Sequence, residues 1–88
     1  MRDPADLDAR SRAALEMALA VAGFVFEITR VLEIEQQNPD ALFERGMLHA
    51  LAGDIDSARG DWQQVMTVAP GSSAAEAAKA NLEATAVQ

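Results

Sequence analysis

The longest apolar run of the chain covers residues 17–26, MALAVAGFVF, and is bounded by Glu16 and Glu27. Its apolar positions lie all round a helix instead of on one face, which predicts burial on several sides. The run is too short to cross a bilayer, which takes about 20 residues. We therefore expect a buried helix at this point.

The pattern allows two conformations for this run. Gly23 is the only helix breaker within it, and an isolated glycine costs a helix about 1 kcal/mol without ending it. Residues 5–36 therefore form either two helices with a turn near Ala22–Gly23 or one long helix. A single long helix in a monomer could not bury the run, whereas a second chain could cover it.

Clear helix signals follow this run. Asn38 and Pro39 form a good start, with a capping side chain before a proline at the first helical position. Gly53 predicts the end of that helix, and Asp54 predicts the cap of the next one. These signals predict a helical hairpin.

A last helix is predicted after residue 72. Pro70 and Gly71 mark a turn, and Ser73 with Glu76 matches the capping box, in which the two side chains satisfy free N–H groups at a helix start. The alanine-rich segment that follows is a strong helix former.

Residues 42–70 carry the spacing of a known repeat. Small residues lie twelve positions apart at Gly46 and Ala58, followed by Trp62 and Pro70. This pattern resembles the tetratricopeptide repeat, a helix–turn–helix unit of about 34 residues. Leu42 and His49 are size-compatible with two further family positions, whereas Arg45 replaces the usual leucine.

The resemblance implies an all-α protein, a tetratricopeptide-like α–α superhelix of about two helical hairpins plus a capping helix. Shifts of 34 residues relate further positions, such as Val31 to Val65 and Leu48 to Leu82. We expect a single domain over residues 1–88, built from a divergent first repeat and two better-defined segments: residues 5–38, 39–72 and 73–86. Such stacks are usually docking surfaces.

Composition narrows the classes of partner. The 88 residues carry a net charge of −7, half of them are apolar and few are aromatic. Nucleic-acid binding is disfavoured because neutralising phosphates needs lysine and arginine. A basic partner would be attracted, although the acidity mainly favours solubility. The absence of cysteine excludes disulfides and cysteine chemistry.

The origin of the chain is predicted only coarsely. Its alanine- and aspartate-rich composition suggests a bacterium with GC-rich DNA. The N-terminal segment does not have the pattern of a signal peptide. We expect a cytoplasmic protein, or a periplasmic one if an upstream signal has been removed.

No residue constellation predicts catalysis or cofactor binding. His49, the only histidine, has no orienting acid within one helical turn and is expected to pack. Asp54, Asp56 and Asp61 lack the alternating ligands, glycine and terminal glutamate of a calcium loop. We therefore expect neither a metal site nor an enzyme.

Two surfaces are candidates for protein contacts. One is the face of the helix after Pro39, which suits an apolar or basic segment of a partner: Asp40, Phe43, Glu44, Met47, Ala50 and Leu51. The other is a homodimer interface: Met17, Val21, Phe24, Val25 and Ile28. The predicted function is a protein–protein interaction module that associates with itself. The alternative is an accessory or regulatory domain cut from a larger, perhaps exported, bacterial protein.

Overall fold

The computed structural model describes residues 9–86, and within this range it contains helices and no strand. The four helices are α1 (Ala9–Ile34), α2 (Pro39–Leu51), α3 (Ile55–Val68) and α4 (Ser73–Ala84). The prediction of an all-α fold is confirmed for this part of the chain. Residues 5–8, where the first repeat was expected to begin, lie outside the described residues.

The first part of the chain is one long helix. Helix α1 continues through Gly23 without a turn, so of the two foldings left open for this part of the chain the described residues adopt the single long helix, followed by one hairpin and a last helix. The residues around Gly23 supply no capping side chain, and a single glycine costs too little to end the helix. A Cβ atom added at Gly23 would meet nothing within 4 Å, so no close helix approach within the single chain requires glycine here.

The α2–α3 hairpin begins and ends where its sequence signals predict. The Asn38 Oδ1 atom accepts a 3.1 Å hydrogen bond from the Ala41 backbone N–H. Gly53 adopts a φ of 85°, a left-handed conformation that glycine adopts without strain. Asp54 then caps α3, and Ser57 donates to its carboxylate from both its hydroxyl and its backbone N–H. These two hydrogen bonds lower the pKa of Asp54.

The cap of α4 lies one residue earlier than predicted. Ser72, not Ser73, has the extended backbone of a capping residue, and its hydroxyl accepts a 3.0 Å hydrogen bond from the Ala75 N–H. Gly71 adopts a φ of 82° and forms the turn before α4. The helix therefore begins at Ser73. The capping box expected for Ser73 and Glu76 is therefore wrong in register.

The helices pack mainly on their neighbours in sequence. Helix α2 contacts α1 and α3, α3 contacts α4, and α2 also touches α4. Seven buried residues form one cluster across all four helices: Leu32, Leu42, Ala58, Trp62, Val65, Ala75 and Ala78. Packing in chain order is the arrangement of helical repeat proteins, in which each unit is stabilised by the units beside it.

Trp62 and Gly46 set the spacing of α2 and α3. Trp62 is 2% exposed and lies directly against the backbone at Gly46. A Cβ atom added at Gly46 would overlap the Trp62 Nε1 atom and lie 2.7 Å from its Cδ1 atom. Ala58 is fully buried as well. The expectation that residues 46 and 58 must be small is therefore explained by close contact between the helices.

Only the C-terminal half of α1 packs against the rest of the chain. Every residue from 10 to 20 is exposed, whereas Val21 and Leu32 are buried and three positions between them are half-buried. The 26 residues of α1 span about 39 Å and the 13 residues of α2 about 20 Å, at about 1.5 Å per residue. The N-terminal half of α1 is therefore left with an uncovered apolar surface. None of the helices in residues 9–86 is long and apolar enough to cross a membrane.

Candidate interaction surfaces

The candidate partner-binding residues share one face of α2. Their positions, 40, 43, 44, 47, 50 and 51, follow the three- and four-residue spacing of a helical stripe. Asp40, Glu44, Met47 and Leu51 are exposed, and Leu51 is 70% exposed. The face therefore combines two carboxylates with large apolar side chains.

The other two members of this face connect it to the interior. Phe43 and Ala50 are half-buried and pack against the core cluster. Helix α4 borders the face, since the Asn81 Nδ2 atom lies 3.3 Å from the Met47 sulfur. A partner lying along α2 would rest on side chains that the core already holds in place.

A second and larger apolar surface lies on α1. Nine large apolar side chains are exposed within residues 10–86, and seven of them belong to this helix: Leu15, Met17, Leu19, Phe24, Phe26, Val31 and Ile34. If a fully exposed side chain of this size presents about 200 Å², the seven leave roughly 900 Å² uncovered. These side chains lie on two sides of α1, and each side presents roughly 400 Å², which is comparable to the largest apolar patch of a typical monomeric protein, a patch that is often functional.

The five residues expected to form a homodimer interface do not form one free surface. Met17 and Phe24 are exposed, but Val21 is only 7% exposed, and Val25 and Ile28 are half-buried. Ile28 packs against the core cluster. The inward side of α1 is thus already used within the chain around residues 21–32, and Val21 is not available to a second copy.

Arg45 and Asp61 form an ion pair between α2 and α3, and Arg45 also contacts α1. The Arg45 Nε and Nη2 atoms donate to the two Asp61 carboxylate oxygens, at 2.8 Å and 2.7 Å. The Arg45 Nη1 atom also lies 3.3 Å from the Thr29 hydroxyl of α1. Hydrogen bonding to Asp61 raises the pKa of Arg45 above its ordinary value. Because Asp61 and Thr29 engage its guanidinium group, this arginine joins helices within the chain and does not offer a free cation.

His49 lies beside two acids that its own helix does not supply. Its Nε2 atom is 3.8 Å from the Asp61 Oδ2 atom, and its Nδ1 atom is 4.0 Å from the Asp54 Oδ2 atom. Both distances are too long for a hydrogen bond. The expectation that His49 has no orienting acid within one helical turn considered only positions on α2, and the neighbouring acids come from the α2–α3 turn and from α3.

Within residues 9–86, no three or more histidine, cysteine, aspartate or glutamate side chains lie close enough together to hold a metal ion. Asp54 is engaged in capping α3, and Asp61 is engaged by Arg45. The described surface offers apolar and acidic contact area on α2, and apolar contact area with charges of both signs on α1.

Comparison with known proteins gives one partial similarity. Over 58 residues, which are 66% of this chain, the sequence is 34% identical to peptidyl-prolyl cis-trans isomerase FKBP4 of Bos taurus. The matched segment covers 13% of that protein's length. No model of a protein family matches the chain, and no solved structure matches it either. The all-helical fold is compatible with a tetratricopeptide-like arrangement.

Proposed function

We propose that this chain is a protein–protein interaction module of the tetratricopeptide type and that it associates with a second copy of itself. The observation that carries the proposal is the set of seven exposed large apolar side chains on α1, which lie on two sides of the helix. The small residues at Gly46 and Ala58, both buried in the α2–α3 hairpin, support the resemblance to this repeat. The partial similarity to FKBP4 is compatible with an interaction module, but covers too little of that protein to transfer the isomerase activity in its name.

Self-association follows from the amount of apolar surface that α1 leaves uncovered. Each Å² of this apolar surface that a second copy covers would stabilise the pair by about 25 cal/mol, because the surface is removed from water. An isologous dimer uses the same surface on both chains, so one exposed helix is sufficient. Sequences of this repeat type generally need three or more units for stability, and a second copy would supply further helices.

Sedimentation equilibrium over a micromolar concentration range tests the self-association. We expect an average mass that rises with concentration from the monomer value of 9.4 kDa towards twice that value. Denaturation midpoints should rise with concentration in the same range, because the dimer is the stabilised form. A mass that stays at 9.4 kDa at all concentrations would contradict the proposal that the chain pairs with itself.

The face of α2 is proposed as the site for a different partner, a basic amphipathic helix. Asp40 and Glu44 would attract its cations while Met47 and Leu51 contact its apolar stripe.

In a fluorescence titration, a lysine-rich amphipathic peptide should bind, and a glutamate-rich peptide of matched apolar positions should not. Glu44→Lys should weaken binding about threefold to tenfold and reduce its salt dependence. Equal binding of both peptides would contradict this assignment.

A further inference from the structure

We infer that two copies of the chain pair through α1 in an antiparallel direction and cross at Ala22–Gly23. This inference rests on the proposed self-association and adds its face, direction and register. The contact is made by a set of α1 residues that we call the seam: Arg12, Leu15, Leu19, Ala22, Gly23, Phe26, Arg30 and Glu33. Every one of these residues is exposed in the single chain.

The seam occupies one side of the helix. Its apolar members follow the spacing of four and three residues that keeps positions in line along a helix, as at Leu15, Leu19, Ala22 and Phe26. At about 100° per residue, the whole seam falls within an arc of about 100°. The residues of α1 that face α2, such as Val21 and Leu32, lie outside this arc. The chain's own helices therefore leave the seam available.

Charge complementarity selects the antiparallel direction. Arg12 and Glu33 lie equally far from the midpoint between residues 22 and 23, on opposite sides of it. In an antiparallel pair centred there, Arg12 of each chain meets Glu33 of the other. In a parallel pair, Arg12 would face Arg12 and Glu33 would face Glu33, and like charges repel. Opposite charges of the two seams therefore face each other only when the second copy runs in the antiparallel direction.

The apolar positions have the same symmetry. Leu19 and Phe26 are also equidistant from the midpoint, so each leucine would contact the phenylalanine of the other chain. Ala22 and Gly23 lie at the crossing, where small side chains allow two helices to approach closely. Leu15 would lie opposite Arg30, whose aliphatic stem can cover it while its charge stays in water.

The opposite side of α1 is the less suitable face. Met17 and Phe24 are exposed there, but Val21 and Ile28 beside them are covered by the chain itself. A helix of a second copy on that side would have to occupy space around Val21 and Ile28 that residues of the same chain already fill. The seam has no such competitor in residues 10–86.

The size of the seam indicates a modest affinity. Leu15, Leu19 and Phe26 are each between 61% and 66% exposed, so together they offer roughly 400 Å² of apolar surface at about 200 Å² per side chain. A stable interface buries about 800 Å² per partner in total, which the stems of the charged residues help to reach. We expect a dissociation constant in the micromolar range.

A charge-reversal cycle tests the register. Arg12 and Glu33 are about 32 Å apart along one helix, at about 1.5 Å per residue, so they cannot form an ion pair within a chain. At low salt, Arg12→Glu or Glu33→Arg alone should raise the dimer dissociation constant about tenfold. The double variant should return to within about threefold of the unmodified chain. Glu83→Arg, the same charge change on exposed α4, should have no effect.

A pair of phenylalanines tests the face. Phe24 and Phe26 are 59% and 61% exposed and lie about 160° apart round α1. Phe26→Asp should raise the dissociation constant at least about 100-fold, and Phe24→Asp should raise it less than about threefold. Both side chains are exposed, so circular dichroism should show that both variants keep their helices.

The outcomes separate this inference from the proposed function. If the unmodified chain dimerises but Phe24→Asp dissociates it and Phe26→Asp does not, the seam is wrong and self-association stands. Two single charge reversals whose effects add without rescue in the double variant would overturn the antiparallel register. If the unmodified chain is a monomer throughout the micromolar range, both proposals fail.

Discussion

Trp62→Ala is expected to lower the free energy of unfolding by about 3–5 kcal/mol, as other large-to-small changes in cores do. The Trp62 side chain is 2% exposed and belongs to the cluster that connects all four helices. Small domains are stable by only about 5–15 kcal/mol, so this one change removes a large part of the total. Trp62→Phe should cost much less, because it keeps an aromatic ring and removes an indole N–H that is buried without a partner.

Urea denaturation followed by far-ultraviolet circular dichroism measures both variants. Fluorescence is unsuitable, because Trp62 is the only tryptophan. Each variant should be compared at equal protein concentration, so that self-association does not shift the midpoint. A Trp62→Ala protein as stable as the unmodified chain would contradict both the core assignment and the proposed tetratricopeptide-like register.

Gly46 makes this prediction more specific. In the unmodified chain, Gly46→Ala should destabilise the fold because its methyl group would overlap Trp62. In a Trp62→Ala background that obstacle is gone, and the same change should stabilise α2, since alanine is favoured over glycine in a helix by up to about 1 kcal/mol. The sign of the Gly46→Ala effect should therefore reverse. Equal effects in the two backgrounds would show that the two residues do not pack against each other.

The parts of the fold that the sequence predicts are those fixed by local chemistry. Asn38 and Asp54 cap their helices as expected, because capping depends only on a side chain and the N–H groups a few residues on. Gly53 ends α2 for an equally local reason. Helix α1 had no such signal, so its folding as one helix or two was open. The structure has one helix, because no capping side chain lies near Gly23 and a single glycine costs too little to end a helix.

The ion pair of Arg45 with Asp61 was missed because Arg45 was compared only with a family pattern that has leucine there. A hairpin that turns at Gly53 brings position 45 opposite position 61, in the same way that it brings Gly46 opposite Trp62. The opposite charges of Arg45 and Asp61 at these facing positions could therefore have predicted the ion pair from the sequence. The same pairing places His49 near Asp61, which a search of one helix could not reveal.

The surface of α1 shows a different limit of sequence reasoning. The even distribution of apolar residues over 17–26 predicted burial on several sides, yet the single chain covers only one side of this helix. The pattern indicates how much surface needs a partner but not which side the chain itself covers. Only the packed structure separates Phe24 and Phe26 from buried Val21.

Removing the arginine of the Arg45–Asp61 pair should have the second-largest effect on stability. The two side chains are 24% and 10% exposed and make two short hydrogen bonds. Arg45→Leu would leave the Asp61 carboxylate largely buried without its counter-charge. Breaking a fully buried pair costs about 3–5 kcal/mol. Because Arg45 is partly in contact with water, we expect a loss of about 2–3 kcal/mol.

A double variant separates the ion pair from simple packing. If the loss comes from the unpaired carboxylate, Arg45→Leu combined with Asp61→Ala should be more stable than Arg45→Leu alone, since no buried charge then remains. The coupling between the two changes, measured by urea denaturation, should be about 1–3 kcal/mol. Arg59→Leu is a matched control on α3. Arg59 donates a hydrogen bond to the backbone carbonyl of Leu82 on α4 and not to Asp61. Strictly additive losses at Arg45 and Asp61 would mean that the pair adds nothing beyond the packing of its two side chains.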